Sequence, residues 1–326
     1  MPLLERGVFL NELHEALQYV ARGLGRLVLI SGEAGVGKTA LVRAFCAEVR
    51  SGARVLGGAC DALFTPRPLG PLADIAEETG EPLAELVRCG ARPHEVLIAL
   101  QVELRARPTV LVLEDLHWAD EATLDVLRLL GRRAEATRAL VLATYRDDEL
   151  DREHLLRVVL GGLGATPGIG HLTLPPLTVE AVRALAGPHG VDGDELYRRT
   201  RGNPFFVTEA LRTGGDVLPP TVRDAVLARV ARLSPQARRV LDTVAVVPAR
   251  ADLWLLEAVA PHELERLDEC LASGVLEEVG MALGFRHELA RLAVEQGERS
   301  SPSPRVTGAT PIPVRPPTRT RASCSR

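Results

Sequence analysis

A glycine-rich segment near the N-terminus, GEAGVGKT at residues 32–39, constrains the fold of this chain more than any other feature. It matches the GxxxxGK[ST] pattern, in which a strand leads into the loop and a helix leads out of it. An apolar run at 26–30 precedes the segment, and residues 37–49 follow with helical spacing. Backbone N–H groups of such a turn surround a polyphosphate, and the next helix points its positive end at the same anion. The segment therefore predicts a strand–loop–helix unit that binds phosphate.

Lys38 supplies the charge of this loop. The chain has 39 lysine and arginine residues, and Lys38 is the only lysine among them. A slim, flexible ammonium fits beside a β- or γ-phosphate, a task that a planar guanidinium performs poorly. The predicted nucleotide contacts are Gly32, Glu33, Ala34, Gly35, Val36, Gly37, Lys38 and Thr39. The Thr39 hydroxyl is also a predicted Mg²⁺ ligand.

Two adjacent carboxylates, Glu114 and Asp115, end a second apolar strand at 109–113. Open α/β sheets bind ligands at this carboxyl edge, and nucleotide hydrolysis needs an acid for the metal and a group that orients water. Successive strand residues face opposite ways, so we expect Glu114 to face Mg²⁺, partly through water, and Asp115 to face the attacking water or a polar neighbour. The alternative for Asp115 is a cap on the following turn.

Three further side chains lie near this predicted site. Arg146 follows the predicted strand at 139–144, where it could reach a γ-phosphate; a solvated surface arginine is the alternative. For Trp118 we expect core packing, and for His117 a supporting hydrogen bond, in preference to catalysis. Glu114, Asp115 and Arg146 are thus the candidate catalytic residues.

The order of predicted elements gives the domain organisation. Strands and helices alternate up to about residue 165, which indicates a parallel sheet with helices on both faces. Asp120, Thr178 and Ser234 are predicted helix caps, and Asp194 is predicted to start a helix. Helices follow the Pro175-Pro176 break, and a hairpin at 275–285 with a closing helix at 287–296 indicates a winged-helix-like unit. The predicted divisions are a phosphate-loop domain at 1–170, a helical lid at 171–216, a winged-helix-like domain at 217–296 and a disordered Pro/Arg/Ser-rich tail at 297–326.

Composition excludes several classes of protein. A net charge of -4 gives no overall bias toward nucleic acid, and no apolar run approaches the ~20 residues that span a bilayer. Glu5 and Arg6 stand where a secretory signal would begin, so we expect a cytoplasmic protein without membrane contact. Five cysteines without CxxC spacing argue against a zinc site and a disulfide framework.

Four sequence motifs occur in a recognisable order: GEAGVGKT at 32–39, LEDLHWAD at 113–120, ATYR at 143–146 and RGNPFF at 201–206. Together they resemble the AAA/STAND-type ATPase module at the start of large ATP-binding LuxR-type transcriptional regulators of bacteria. The likeness covers about residues 3–296, and LPPTVR at 218–223 and FRHEL at 285–289 resemble the family's later helical and winged-helix segments.

The resemblance implies an AAA-like P-loop NTPase sheet, a helical lid and a winged helix that together clamp ATP or ADP with Mg²⁺. Arg146 would be the sensor arginine, and Pro204 would lie near the adenine. The ADP state would be closed and the ATP state open and self-associating, with slow hydrolysis to ADP and phosphate as the reset. Family members often carry aspartate where this chain has Glu114. The longer side chain is expected to alter the geometry of the metal site, and so to affect the rate of ATP turnover more than the binding of nucleotide.

Two other functions compete with an ATP-dependent switch. One is DNA binding through the winged helix, although Glu277 and Glu278 on the predicted wing make direct DNA contact an unfavourable interpretation. The other is a P-loop phosphotransferase, which the adjacent carboxylates disfavour. The resembled regulators continue into a helical-repeat sensor and a helix-turn-helix, whereas here the family-like sequence stops near Gln296, so we expect a truncated or frameshifted gene product.

Overall fold

A computed structural model describes residues 3–300 of the chain, apart from 64, 152, 216, 248–249 and 260–263. Its N-terminal part is built on five strands, in chain order β1 (Arg26–Ser31), β2 (Arg54–Ala59), β3 (Thr109–Glu114), β4 (Ala139–Thr144) and β5 (Ile169–Thr173). Their order in the sheet is β2-β3-β4-β1-β5, and every neighbouring pair is parallel. The predicted parallel sheet is confirmed. The edge strand β5 was not predicted, because it is short and contains a glycine.

Seven helices cover the two faces of this sheet: α1 (Gly7–Ala21), α2 (Lys38–Val49), α3 (Gly70–Thr79), α4 (Leu83–Arg88), α5 (Pro93–Ala106), α6 (Glu121–Gly131) and α7 (Leu155–Leu163). Because strand side chains alternate, Val28 and Ile30 of β1 belong to the hydrophobic cluster with α1 and α2. Leu27 and Leu29 belong to the cluster on the other face, with α3 to α7. The predicted burial of both faces is confirmed.

Helices α3, α4 and α7 were missed by the sequence reasoning. Helix α3 follows Leu69, whose backbone is left-handed with φ 54°, and α3 has a proline at its start. Helix α7 contains Gly161 and Gly162, which weaken a helical pattern. Helix α4 has only 6 residues, too few to show a period. All three form because their apolar side chains pack on the sheet.

The rest of the chain packs around its own hydrophobic cluster. Its helices are α8 (Val179–Ala186), α9 (Gly193–Thr200), α10 (Pro204–Arg212), α11 (Pro220–Val230), α12 (Pro235–Val246), α13 (Leu253–Val259), α14 (Leu267–Ala272) and α15 (Glu288–Ser300). The predicted caps Thr178 and Ser234 are confirmed, since each accepts a backbone N–H three residues on. Asp194 was predicted to start a helix, but Asp192 is the N-cap of α9.

A small antiparallel sheet lies in this second part, with β6 (Ala251–Asp252), β7 (Leu276–Val279) and β8 (Ala282–Phe285) in the order β6-β8-β7. The predicted hairpin is β7–β8. Helix α15 continues to Ser300, so residues 297–300, predicted to begin the disordered tail, are helical. The remainder of that tail, including Cys324, lies outside the described residues. Of the helices in the described part, none is long and apolar enough to cross a bilayer.

Candidate functional site

The glycine-rich loop joins β1 to α2 at the carboxyl edge of the large sheet. Gly32, Gly35 and Gly37 have φ values of 144°, 81° and 104°, a backbone region that side chains strongly disfavour. A Cβ on Gly35 would lie 2.8 Å from Cβ of Phe205, so this glycine also permits close packing. The backbone conformation that the sequence motif predicts is therefore present.

Lys38 begins helix α2 and turns its side chain back over the loop. Its Nζ donates hydrogen bonds to the carbonyl oxygens of Gly32 at 2.6 Å and Glu33 at 3.0 Å. The side chain is buried, and burial, with the charge of Arg146, lowers the pKa of the Lys38 ammonium. Nearby aspartates, Asp148 first, act in the opposite direction. The cation thus lies within the loop whose N–H groups would receive a phosphate.

Thr39 and Glu114 meet directly, although 74 residues separate them in the chain. The Thr39 hydroxyl donates to Oε2 of Glu114 across 2.7 Å, from the first turn of α2 to the last residue of β3. A hydroxyl beside a carboxylate at a phosphate loop is the set of oxygens with which P-loop proteins hold Mg²⁺. The donors present here fit that ion, with Glu114 in place of an aspartate.

Asp115 lies just past the end of β3, so its direction is not set by strand alternation as the sequence reasoning assumed. Its backbone is left-handed with φ 58°, and its N–H donates to Oγ1 of Thr144 at 3.0 Å. Burial raises the pKa of the Asp115 carboxyl, while the charge of Arg146 lowers it. The alternative of a side-chain cap is wrong, because the turn at Leu116–Trp118 has no such hydrogen bond.

Arg146 lies in a cluster of charges that the sequence did not reveal. Its Nη1 donates to Oε1 of Glu149 at 2.5 Å, and Nη2 of Arg229 on α11 donates to the same oxygen at 3.1 Å. The Trp118 ring lies 4.6 Å from the Arg146 guanidinium and 5.3 Å from that of Arg232. We call Arg146, Glu149 and Arg229 the arginine clasp. Trp118 packs partly against the core, as expected, and partly against these arginines.

His117 does not make the expected supporting hydrogen bond. Its ring is buried, and neither nitrogen has a hydrogen-bond partner among the described residues; Nε2 lies 3.6 Å from Glu149 and Nδ1 lies 4.0 Å from Asp115. Burial and the charges of Arg146 and Lys38 lower the pKa of His117 to about 2. The neutral ring packs beside Trp118, with 4.4 Å between ring centroids.

The start of α10 and the residue before it form hydrogen bonds with the glycine-rich loop. Nδ2 of Asn203 donates to Oε1 of Glu33 at 2.6 Å and to the carbonyl of Ala34 at 2.9 Å. The Phe205 N–H donates to the carbonyl of Gly35 at 3.2 Å. Pro204, placed near the adenine by resemblance, is the first residue of α10 between these two contacts. The sequence reasoning selected Pro204 and missed Asn203, its neighbour in the same GNP motif.

Glu33 joins the loop to the last part of the chain. Its Oε2 lies 3.3 Å from Nε2 of His287 and 3.7 Å from Nη1 of Arg286. The Nδ1 of His287 donates to the carbonyl of Thr200 at 3.0 Å. Burial alone would raise the pKa of the Glu33 carboxyl, but hydrogen bonds from His287 and Asn203 and the charge of Arg286 outweigh it and lower the pKa.

A second close approach involves Asp148 and Gly274. A Cβ on Gly274, whose φ is 69°, would lie 2.6 Å from Oδ2 of Asp148. Burial raises the pKa of the Asp148 carboxyl. We call the contacts Glu33–His287, Asp148–Gly274 and Glu149–Arg229 the junction, because each joins the large-sheet part to residues after 216. Of these residues only Glu33 was selected from the sequence.

The junction borders a cavity of about 310 Å³. Its wall includes the loop residues Ala34 and Gly35, the clasp, the aromatic rings of Trp118, Phe205 and Phe206, and residues of α11 and α15. The volume is within the range of small-molecule sites, roughly 300–1,000 Å³. The phosphate loop and the clasp therefore border the same cavity.

Comparison with known proteins agrees with this geometry. Residues 2–142 match the family model of the AAA ATPase domain. The Walker-type ATPase PABY2304 of Pyrococcus abyssi has the same fold, with 16% identity, 90% of this chain and 96% of that chain covered, and a TM-score of 0.57. The Orc1 protein of Aeropyrum pernix, solved in complex with DNA, is similar at 19% identity, with 90% and 92% of the two chains covered and a TM-score of 0.51.

A curated relative, an uncharacterized protein of Rhizobium meliloti strain 1021, is 25% identical over 88% of this chain. The match covers 34% of that protein, so the present chain spans about a third of its length. The family match includes the phosphate loop, Glu114 and Asp115, which are the residues that the fold brings together at the carboxyl edge of the sheet. Residues 2–142 thus match the AAA ATPase domain, and the parallel sheet has the fold of a P-loop NTPase.

Proposed function

We propose that this chain is an ATP-binding switch module: it binds ATP or ADP at residues 32–39, hydrolyses ATP slowly and changes its contacts between the two states. The single observation that supports this most strongly is the arrangement of the loop. The loop whose amides would hold phosphate also contacts Asn203 and His287, both through the side chain of Glu33, and Lys38 donates to the Glu33 carbonyl. A ligand at the loop would therefore act directly on the lid and on the C-terminal part.

Each residue has a proposed role in this switch. Lys38 and the loop N–H groups bind the β- and γ-phosphates, and Thr39 and Glu114 hold Mg²⁺, Glu114 partly through water. When bound, Mg²⁺ neutralises charge that builds on the phosphate oxygens. Asp115 orients the attacking water, and Arg146 contacts the γ-phosphate. Pro204 lies against the adenine.

We further propose that the chain is the signal-transduction module of a LuxR-type transcriptional regulator in the cytoplasm. In this proposal helices α8 to α10 form the lid, and the part after residue 216 is a winged-helix-like domain. The motifs at 113–120 and 201–206 support this assignment by resemblance. A small three-stranded sheet among helices α11 to α15 is compatible with a winged helix. In the ATP state we expect an open form that self-associates.

Nucleotide binding tests the proposal directly. Freshly purified protein is denatured and its released ligand identified, and Mg-ADP and Mg-ATP are then titrated by calorimetry. We expect one tightly bound adenine nucleotide per chain, and protein that binds neither nucleotide would overturn the proposal.

Phosphate release without an added acceptor separates hydrolysis from binding. Glu114→Gln removes the charge that faces Thr39, so we expect release to fall about tenfold or more while nucleotide affinity changes only a few-fold. Asp125→Asn, on the exposed side of α6, is the matched control. Equal rates in the wild type and Glu114→Gln would refute the role of Glu114, and release that requires an acceptor would indicate a phosphotransferase.

Direct DNA binding is the second candidate, because the fold is similar to an Orc1 protein solved with DNA. Glu277 on β7 pairs with Arg201, and Glu278 beside it is exposed, so this strand presents negative charge. A gel shift at moderate salt distinguishes the two candidates: the switch proposal predicts no shift of duplex DNA.

A further inference from the structure

The arginine clasp centres on one shared carboxylate oxygen, and the nearby carboxylates Asp115 and Asp148 interact electrostatically with Arg146 and Arg229, respectively. One carboxylate, Glu149, faces two guanidinium groups, Arg146 at 2.5 Å and Arg229 at 3.1 Å, and both donate to the same oxygen. Its side chain is 15% exposed, so water screens these charges only in part. Because both guanidinium groups donate to the same carboxylate oxygen, a phosphate that offers several oxygens could replace it as their acceptor.

The clasp is also within reach of the phosphate loop. Arg146 and the loop residues Ala34 and Gly35 border the same cavity, and the charge of Arg146 acts on Lys38. A phosphate at the end of a triphosphate on this loop would enter the cavity on the side of Arg146. A diphosphate, which is one phosphate shorter, would not extend as far.

We propose that Glu149 is the resident counter-ion of Arg146 and Arg229, and that the terminal phosphate of a nucleoside triphosphate competes with Glu149 for these arginines. The inference rests on the proposed nucleotide function and adds its means of distinguishing ATP from ADP. Glu149 is a positioning residue: it holds Arg146 on Trp118 until a stronger anion replaces it. Because Arg229 belongs to α11, the exchange changes a contact between the large-sheet part and the C-terminal part.

Removing the charge of Glu149 gives the first test. In Glu149→Gln the terminal phosphate no longer competes with a carboxylate for Arg146 and Arg229. We therefore expect the affinity for a non-hydrolysable ATP analogue to rise about fivefold or more relative to that for ADP. Glu153→Gln, at an exposed carboxylate four residues away, is the matched control and should leave the ratio of the two affinities unchanged.

Arg229→Gln gives a second test in the opposite direction and covers the case in which Glu149→Gln does not fold. With one arginine removed, Glu149 holds Arg146 more strongly and less positive charge faces the phosphate. We expect the ratio of ATP-analogue to ADP affinity to fall. A rise would contradict the proposal.

Trp118 reports the exchange by its fluorescence, independently of activity. The chain has two tryptophans, and Trp254 is 66% exposed and does not line the cavity, so Trp254→Phe leaves Trp118 as the only tryptophan to be excited selectively. We expect the ATP analogue to change Trp118 emission, as Arg146 leaves the ring, and ADP to leave it nearly unchanged.

The outcomes separate this inference from the proposed function. If both nucleotides bind but Glu149→Gln alters their affinities by the same factor, or if ATP analogue and ADP give the same Trp118 response, the clasp does not sense the terminal phosphate and only this inference fails. If the wild type binds neither nucleotide, both fail.

Discussion

The phosphate loop and the junction border one cavity and share Glu33, yet they are built in different ways. The loop is one run of residues, 32–39, whose shape depends on three left-handed glycines and on hydrogen bonds within the run. The junction consists of side chains from distant segments, such as Glu149 with Arg229 and Glu33 with His287. The comparison teaches that the chain encodes ligand contact locally and the response to the ligand through tertiary contacts.

Substitutions should therefore affect the two regions differently. Changes to the phosphate-binding groups of the loop should weaken ligand binding strongly while the fold persists. Changes to the side-chain contacts of the junction should alter stability or the ATP-to-ADP preference while binding persists. Variants at Lys38, Gly274 and Glu33 test this difference between the two regions.

The largest effect is expected for Lys38→Met, which keeps the length of the side chain and removes its charge. A charged hydrogen bond contributes about 1.5–3 kcal/mol, so the affinity for Mg-ATP should fall roughly 10- to 150-fold. Calorimetric titration measures it. Arg43→Met, at an exposed cation on the same helix, is the control. Affinity within twofold of the wild type in Lys38→Met would remove the loop from the proposed site.

A stability loss of intermediate size is expected for Gly274→Ala. The added methyl would meet Oδ2 of Asp148 at 2.6 Å, and overpacking of this kind costs about 1–3 kcal/mol. Gly280→Ala is a close control, because its φ of 66° is nearly the same as 69° at Gly274 but its Cβ would meet nothing within 4 Å.

Urea unfolding gives the free energy of unfolding of Gly274→Ala and of Gly280→Ala. Because both variants have the same backbone strain, the difference between their losses of stability is the cost of the clash with Asp148. Adding Asp148→Ala to Gly274→Ala should recover part of that difference. If the two glycine variants unfold at the same urea concentration, Asp148 and Gly274 do not hold the junction together.

The smallest effect is expected for Glu33→Gln, which retains the shape of the contact with Asn203, Arg286 and His287. The charge should add about 1 kcal/mol to stability at pH 7. Folding lowers the pKa of Glu33. The extra unfolding free energy of the wild type is therefore fully present above pH 4.5, the ordinary pKa, and is lost as the pH falls through the lower pKa of the folded state. Urea unfolding at several pH values measures it; a difference that grows on acidification would contradict the assignment.

Much of the fold followed from sequence patterns. Strands β1, β3 and β4 are buried on both faces and lie within one residue of their predicted ends. Asp120, Thr178 and Ser234 cap helices as predicted, because a cap needs only its own side chain and the next N–H groups. Helices α3 and α7 were missed, since contacts with the sheet outweigh their poor helical patterns.

The candidate site divides in the same way. Thr39 and Glu114 meet as their motifs predict, because the loop after β1 and the end of β3 both lie at the carboxyl edge of the same parallel sheet. The alternation argument failed at Asp115, where the chain leaves the strand in a left-handed turn. His117 was expected to form a hydrogen bond, and burial leaves it neutral and unpaired within the described residues.

Local sequence patterns are sufficient to specify the phosphate loop, the carboxylates beside it and the parallel sheet that holds them. These features depend on interactions within short runs and on the period of apolar side chains, both of which can be read along the chain. Only the tertiary structure decided that Glu149 lies between Arg146 and Arg229 and that Glu33 contacts His287. Those pairs connect residues as far apart as 254 positions, and their meeting depends on how the hydrophobic clusters pack, which no local pattern specifies.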